Sequence, residues 1–296
     1  MQSFARQRSS GLRSRWDLAL LLFGAAIMLF PFAWMALGSF KTMIESNAYP
    51  PHILPNEWDW SNFSEAWNGP PGSLGRYFWN TIGLALSGTL LQLFFCSLAA
   101  YALAIVRIPG RNLFFALVLG TMLVPGEVTL IPNFVTIRNL PLVGGNDILG
   151  NGGSGLYDTY LGQLLPGIIG AFNIFLLRQA FMQIPRDLWE ASQIDGSTSF
   201  CYLWQIVLPL AKPTLTTLFL LGFVARWNAL LWPMIVTRSE SIRPVQLAMI
   251  WFQGEFDTDY GVLMAAAIMV TLPIIAIFLV LQRQFVQGIT STGLKG

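Results

Sequence analysis

Very few side chains in this sequence can make or break a covalent bond. His52 is the single histidine, with no cysteine beside it, so neither a metal site nor a nucleophilic triad can be built around it. Cys96 and Cys201 show no metal-ligand spacing and read as unpaired thiols acting as small apolar residues. No GxxxxGK[ST] run occurs. The glycine-rich stretch 144–155, GGNDILGNGGSG, lacks the following Lys-Ser/Thr and the preceding strand of a phosphate cradle, and is too rich in glycine for regular structure. The chain therefore carries no catalytic residue, no metal site and no cofactor site of its own.

What remains is polar and ionisable residues set inside apolar runs. Glu127 and Arg226 are of this kind. Exposing such a group to lipid costs at least about 2.5 kcal/mol, which makes each a functional candidate. Arg226 either pairs with Glu127 or meets an anionic or hydroxyl-rich solute. Together with the adjacent Trp227 and Asn228 these form a candidate translocation path. Asn173, Asn228 and Gln92 suit hydrogen bonds between helices, with path lining as a second role. Trp227, Trp232 and Trp251 could stack on sugar rings, or anchor span ends at the interface.

The elements that position these residues follow from composition. Hydrophobic residues make up 54% of the chain and charged ones 11%, against about 25% charged in soluble domains. A net charge of +2 gives no electrostatic argument for nucleic acid. An all-α integral membrane protein is expected. Since a span needs about 20 apolar residues, six are read: Leu18 to Leu37, Thr81 to Val106, Leu113 to Phe134, Leu161 to Ala180, Pro213 to Val236 and Tyr260 to Leu281. The third is interrupted by Pro125, Glu127 and Pro132, the fourth by Pro166 and Asn173. The organisation expected is a cytoplasmic segment 1–17, a transmembrane domain 18–282 and a cytoplasmic tail 283–296. The first apolar run exceeds the 7 to 15 residues of a signal-peptide core and reads as a retained helix.

Basic flanks set the orientation. With the N-terminus inside, Arg6, Arg8, Arg13, Arg15, Arg107, Arg111, Arg178, Arg186, Lys212, Arg283 and Lys295 lie on the inner side, and Lys41, Arg76, Arg138, Arg238 and Arg243 on the outer. Both termini are then cytoplasmic. The outer stretch 40–78, with Trp58, Trp60, Trp67 and Gly69-Pro70-Pro71-Gly72, reads as a packed connector with interfacial aromatics or as a partner contact.

One inner loop is unlike the rest. In residues 185–209, Pro185 suits a helix start and Asp187 and Glu190 complement the positive end of its dipole. Gly196 suits the stop, and Ser197 or Thr198 the cap of an apolar helix that runs to Leu208 before Pro209. The result is a finger of about ten residues, roughly 15 Å long, tipped with Ala191, Ser192, Gly196 and Ser197. Small residues let another backbone approach closely.

Glu190-Ala191-Ser192, then Gly196, then Ile206-x-Leu208-Pro209 resembles the E-A-A-x3-G-x9-I-x-L-P loop of permease subunits of binding-protein-dependent ABC importers, with Ser in place of the usual third Ala. The C-terminal QRQFVQGITSTGLKG is similar to the tail of the maltose-type (MalG-like) sugar permease, as are MLVPGEVTLIPNF and WNALLWP. The resemblance implies a six-helix type I importer (MetI-like) fold whose cytoplasmic coupling helix, with Glu190, Ala191, Ser192, Asp195, Gly196, Ile206, Leu208 and Pro209, seats in an ATPase. It implies that Gln287, Gly288, Thr290, Ser291 and Gly293 of the tail reach between the two ATPases, which hold ATP and Mg. The partners implied are a homologous permease, the ATPase dimer, an external solute-binding protein, membrane lipid and a saccharide solute. A polyol or glycerol-phosphate solute is the alternative, and a non-transporting receptor or scaffold a further one.

Overall fold

A computed structural model describes residues 15–69, 73–252 and 258–293, with side chains as far as Gln282 apart from those of Arg15 and Trp251. Most of segment 1–17, and the side chains of Gln287, Gly288, Thr290, Ser291 and Gly293, lie outside the described residues. Among the described residues the regular structure is helical. Three single helices are long and apolar enough to cross a membrane, and three bent pairs bring the number of spans to six when each pair counts as one.

One compact unit comprises residues 1–67 and 252–269. It begins with α1 (Arg15–Gly38), whose core has mean hydropathy 2.2 and whose apolar side chains, Leu20, Phe23, Met28 and Leu29 among them, stand exposed. Such a surface is stable in hydrocarbon, not in water. After α1 the chain turns back, and the Phe40 ring gathers Trp58, Trp60 and Phe63 at centroid distances of 5.1, 4.7 and 5.3 Å. Buried Asn62 donates to the carbonyls of Ser39 and Lys41 at 3.0 and 2.8 Å. This stretch is thus a packed connector.

The second unit, residues 68–251 and 270–296, is built around α2 (Leu74–Ala104), 31 residues long and capped by the Ser73 hydroxyl, which accepts from the Arg76 N–H at 3.3 Å. α3 (Arg111–Thr121) and α4 (Leu130–Arg138) follow, the second entered through a 3-10 turn at Gly126–Thr129. They meet at 93°, so the expected straight span from Leu113 to Phe134 is a bent one. Pro125 has no N–H to continue the helix and pushes Val124 out of helical geometry. Then come α5 (Tyr160–Leu164) and α6 (Ala171–Met182), bent by 52° across Pro166 and Gly170.

The finger helix is α7 (Arg186–Ile194), and its return arm starts with α8 (Ser199–Tyr202). α9 (Lys212–Trp227) and α10 (Leu231–Val236) replace the continuous helix expected from Pro213 to Val236. The break at 228–230 places Pro233 in the first turn of α10, where its missing N–H costs nothing. α11 (Val245–Trp251) and α12 (Tyr260–Gly293) complete the chain, α12 carrying Pro273 within it.

The core joins α2, α6 and the return arm. Cys96, Ala100, Leu177, Phe181, Tyr202, Leu203, Val207 and Leu218 are buried together, and Trp189, Ile206 and Leu208 pack against them. Both cysteines are free thiols.

Candidate functional site

The finger is a helix with two defined ends. Pro185 is its N-cap (φ −58°, ψ 137°), one position earlier than the first helical turn. At the other end the Gly196 N–H donates to the Gln193 carbonyl at 3.1 Å and the Ser197 N–H to the Ser192 carbonyl at 2.9 Å. This paired reverse closure, with Gly196 at φ +73°, is the Schellman stop. Thr198, rather than Ser197, caps the return arm by accepting from the Cys201 N–H at 3.2 Å. The arm passes through a π-helical turn at Leu203–Val207 and Leu208–Leu210, then bends 80° into α9.

Anchoring residues and presented residues are separate. Trp189 packs edge-on to buried Tyr202 at 4.9 Å, and buried Ser192 donates its hydroxyl to the Trp189 carbonyl at 2.7 Å. Ile206 and Leu208 are half-buried on the core. Glu190, Ala191, Asp195, Gly196 and Pro209 are exposed. The structure therefore brings the expected coupling residues onto one finger. Five of the eight are exposed, Ile206 and Leu208 pack at its foot and Ser192 is buried within it, so its base is continuous with the packing of α2 and α6.

A second feature is a cavity of about 260 Å³ lined by Arg226, Gln163, Asn133, Thr81 and Trp232 among others. Arg226 donates to the Gly167 carbonyl, not to Glu127. The bend between α5 and α6 explains this, because a carbonyl at a helix break has lost its helical donor. A Cβ on Gly167 would sit 2.9 Å from the guanidinium, and one on Gly88 2.9 Å from Nε, so two glycines make the slot. Among the described residues, buried Arg226 Nε and buried Gln163 Oε1 have no hydrogen-bond partner. Unpaired buried polar atoms are costly, and both residues line the cavity.

The other path candidates fall differently. Trp232 lines the cavity and donates its indole N–H to the Gln163 carbonyl at 3.2 Å. Trp227 is fully buried behind it, stacked on Phe223 at 5.5 Å and donating to the Val270 carbonyl at 3.1 Å. Asn228 is exposed and accepts from the Gln246 amide at 3.1 Å. Glu127 is exposed too, although its neighbours Gly126, Thr129 and Leu130 line the wall. Sequence reasoning missed Gln163 and Asn133, polar residues inside predicted spans and so detectable by the criterion that picked Asn173.

Two residues of the cavity wall, Thr81 and Gln163, also belong to a clasp. Asn80 donates to the carbonyls of Ser241 and Arg243 at 2.8 and 3.0 Å, Gln163 to that of Ile242 at 3.0 Å, and the Val245 N–H to the Thr81 hydroxyl at 2.7 Å. The Asp158 carboxylate accepts the N–H groups of Arg238 and Ser239, each at 2.8 Å, and the Ser239 hydroxyl. Burial alone would raise the Asp158 carboxyl, but these hydrogen bonds, with the Arg243 charge, outweigh it and hold the carboxyl below its ordinary value. A depressed carboxylate stabilises the fold above its unfolded pKa of about 3.9 and loses that contribution as pH falls through the lower folded value. Asp158→Ala is therefore expected to speed hydrogen exchange at the Arg238 and Ser239 amides near neutral pH, with the difference from wild type shrinking as pH falls beneath the ordinary carboxylate range and through the lowered folded value. Equal exchange at neutral pH would remove the carboxylate from the clasp.

A family profile described as "Binding-protein-dependent transport system inner membrane component" matches residues 8–291. The chain belongs to this family. The permease is 33% identical over 295 residues to the arabinooligosaccharides transport system permease protein AraQ of Bacillus subtilis, covering 98% of this chain and 99% of that one. It is 33% identical to the sn-glycerol-3-phosphate transport system permease protein UgpE of Yersinia enterocolitica, covering 92% and 94%. A solved bacterial ABC transporter involved in import of the acidic polysaccharide alginate contains a chain matched with TM-score 0.78 at 27% identity, over 93% of this permease and all of that chain. The protein is thus a multi-pass membrane permease subunit of an ABC importer, with the type I fold expected from the resemblance.

Proposed function

We propose that this permease and a homologous permease enclose a path for a saccharide, delivered by an external solute-binding protein and driven by two ATPases that hold ATP and Mg. The observation that carries this reading is the finger: a nine-residue helix closed at both ends, presenting Glu190, Ala191 and Asp195 outward and joined through an 80° bend to α9. A clamp on such a finger moves α9 with it. The basic flanks, eleven inner against five outer by the residues named above, put the finger and both termini in the cytoplasm. The organisation into segments 1–17, 18–282 and 283–296 follows from the same assignment, with the tail reaching between the ATPases.

The oligosaccharide and alginate relatives support a saccharide, and Trp232 gives the cavity an aromatic face suited to a sugar ring. A second reading, a polyol phosphate, is favoured by Arg226, a cation on the cavity wall without a carboxylate partner among the described residues, and by the glycerol-3-phosphate relative. The test of the coupling reading is a single cysteine on the finger. Ala191→Cys, with half-exposed Cys201 replaced by serine, is expected to cross-link to the ATPase subunit in membranes, with a yield that changes when ATP is added. A finger that joins to no second polypeptide in the assembled transporter would refute the reading.

A further inference from the structure

We propose that the permease carries a binding site for the phosphate of an anionic phospholipid headgroup at the base of the finger. A cavity of about 560 Å³ opens there, walled by Arg107, Arg111, Arg178 and Arg186, with Glu190 as its one carboxylate. Four guanidiniums against one carboxylate make a strongly cationic chamber.

Arg178 is the decisive member. Its residue is only 8% exposed, its Nε donates to the Leu103 carbonyl at 3.2 Å, and its guanidinium lies 4.0 Å from the Phe115 ring centroid. Among the described residues none of the four arginines forms an ion pair with a carboxylate. A buried cation left without a counter-charge is expensive, and guanidinium forks match phosphate oxygens in pairs. The chamber is thus built for an anion that the chain does not supply.

Position selects lipid over free phosphate. The chamber sits where α2 ends at Ala104, α3 begins at Arg111 and α6 ends at Met182, the shared end of three candidate spans and so the level at which headgroups are expected. Its wall also includes Ile108 and Met182, 38% and 54% exposed, so acyl chains can lie against apolar side chains while the phosphate enters. Basic pockets between spans are suited to such headgroups.

The test uses the whole transporter in phosphatidylcholine nanodiscs, titrated with phosphatidylglycerol and read by native mass spectrometry. Wild type is expected to retain phosphatidylglycerol, and Arg107→Gln/Arg111→Gln, which leaves buried Arg178 in place, to bind it roughly thirtyfold more weakly. Millimolar inorganic phosphate should not displace the lipid. Equal retention by wild type and the double variant overturns the site. Displacement by inorganic phosphate overturns the lipid assignment, and absence of phosphatidylglycerol from wild type while an acidic segment of the ATPase cross-links to Arg107→Cys assigns the chamber to protein instead.

Discussion

Arg226→Met permease is expected to reach the membrane in normal amounts and to import solute at roughly a tenth of the wild-type rate or less. The substitution removes the charge-assisted hydrogen bond to the half-buried Gly167 carbonyl, a kind of contact that contributes about 1.5–3 kcal/mol. It also removes the cation from the cavity that Gln163 and Trp232 share. Methionine fills the slot between Gly88 and Gly167 with similar volume, so packing is largely preserved. Arg226→Lys keeps the charge but loses the planar fork, and should recover part of the rate. Uptake and membrane abundance are measured together in cells carrying the partner subunits. Wild-type uptake by Arg226→Met would show that neither the carbonyl contact nor the charge serves transport.

The second large effect is at Gly196. A Cβ there would meet nothing within 4 Å, so substitution is penalised only through φ +73°. For ordinary residues that left-handed conformation costs roughly 1–2 kcal/mol, more for a β-branched one, and less for asparagine. Uptake should therefore fall in the order Gly, Asn, Ala, Val, with Gly196→Val at roughly a tenth of wild type as the docking-competent finger becomes a minority conformer. The permease should still insert, since the finger lies outside the spans. An unchanged Val variant would mean that the stop geometry is irrelevant to coupling. Loss in the Asn variant equal to that in Val would locate the requirement in close approach by a partner instead of in the backbone.

Much of this arrangement is readable from local chemistry. Pro185, Gly196 and Thr198 declare the finger's ends because caps and stops act within a few residues, and Pro125 and Pro166 mark the two broken spans for the same reason. The break at 228–230 carries no such mark, since Asn228-Ala229-Leu230 contains neither proline nor glycine and only Pro233 downstream hints at a restart. Contacts between distant segments are less legible still. Asp158 clasps Arg238 and Ser239 across some eighty positions, and Arg226 takes a carbonyl that exists as a free acceptor only because α5 and α6 do not align. Arg178 reads as one more basic flank in sequence. Its burial is visible only once Phe115 and Leu103 are beside it.

The nine-residue α7 is also a lever arm of about 14 Å at 1.5 Å per residue. Turned about its Pro185 end, such an arm carries its glycine tip through about 5 Å, one helical pitch, for a swing of only about 20°. The return arm runs through the 80° bend directly into α9, so a finger displaced by that amount has a candidate membrane span as its next neighbour along the chain.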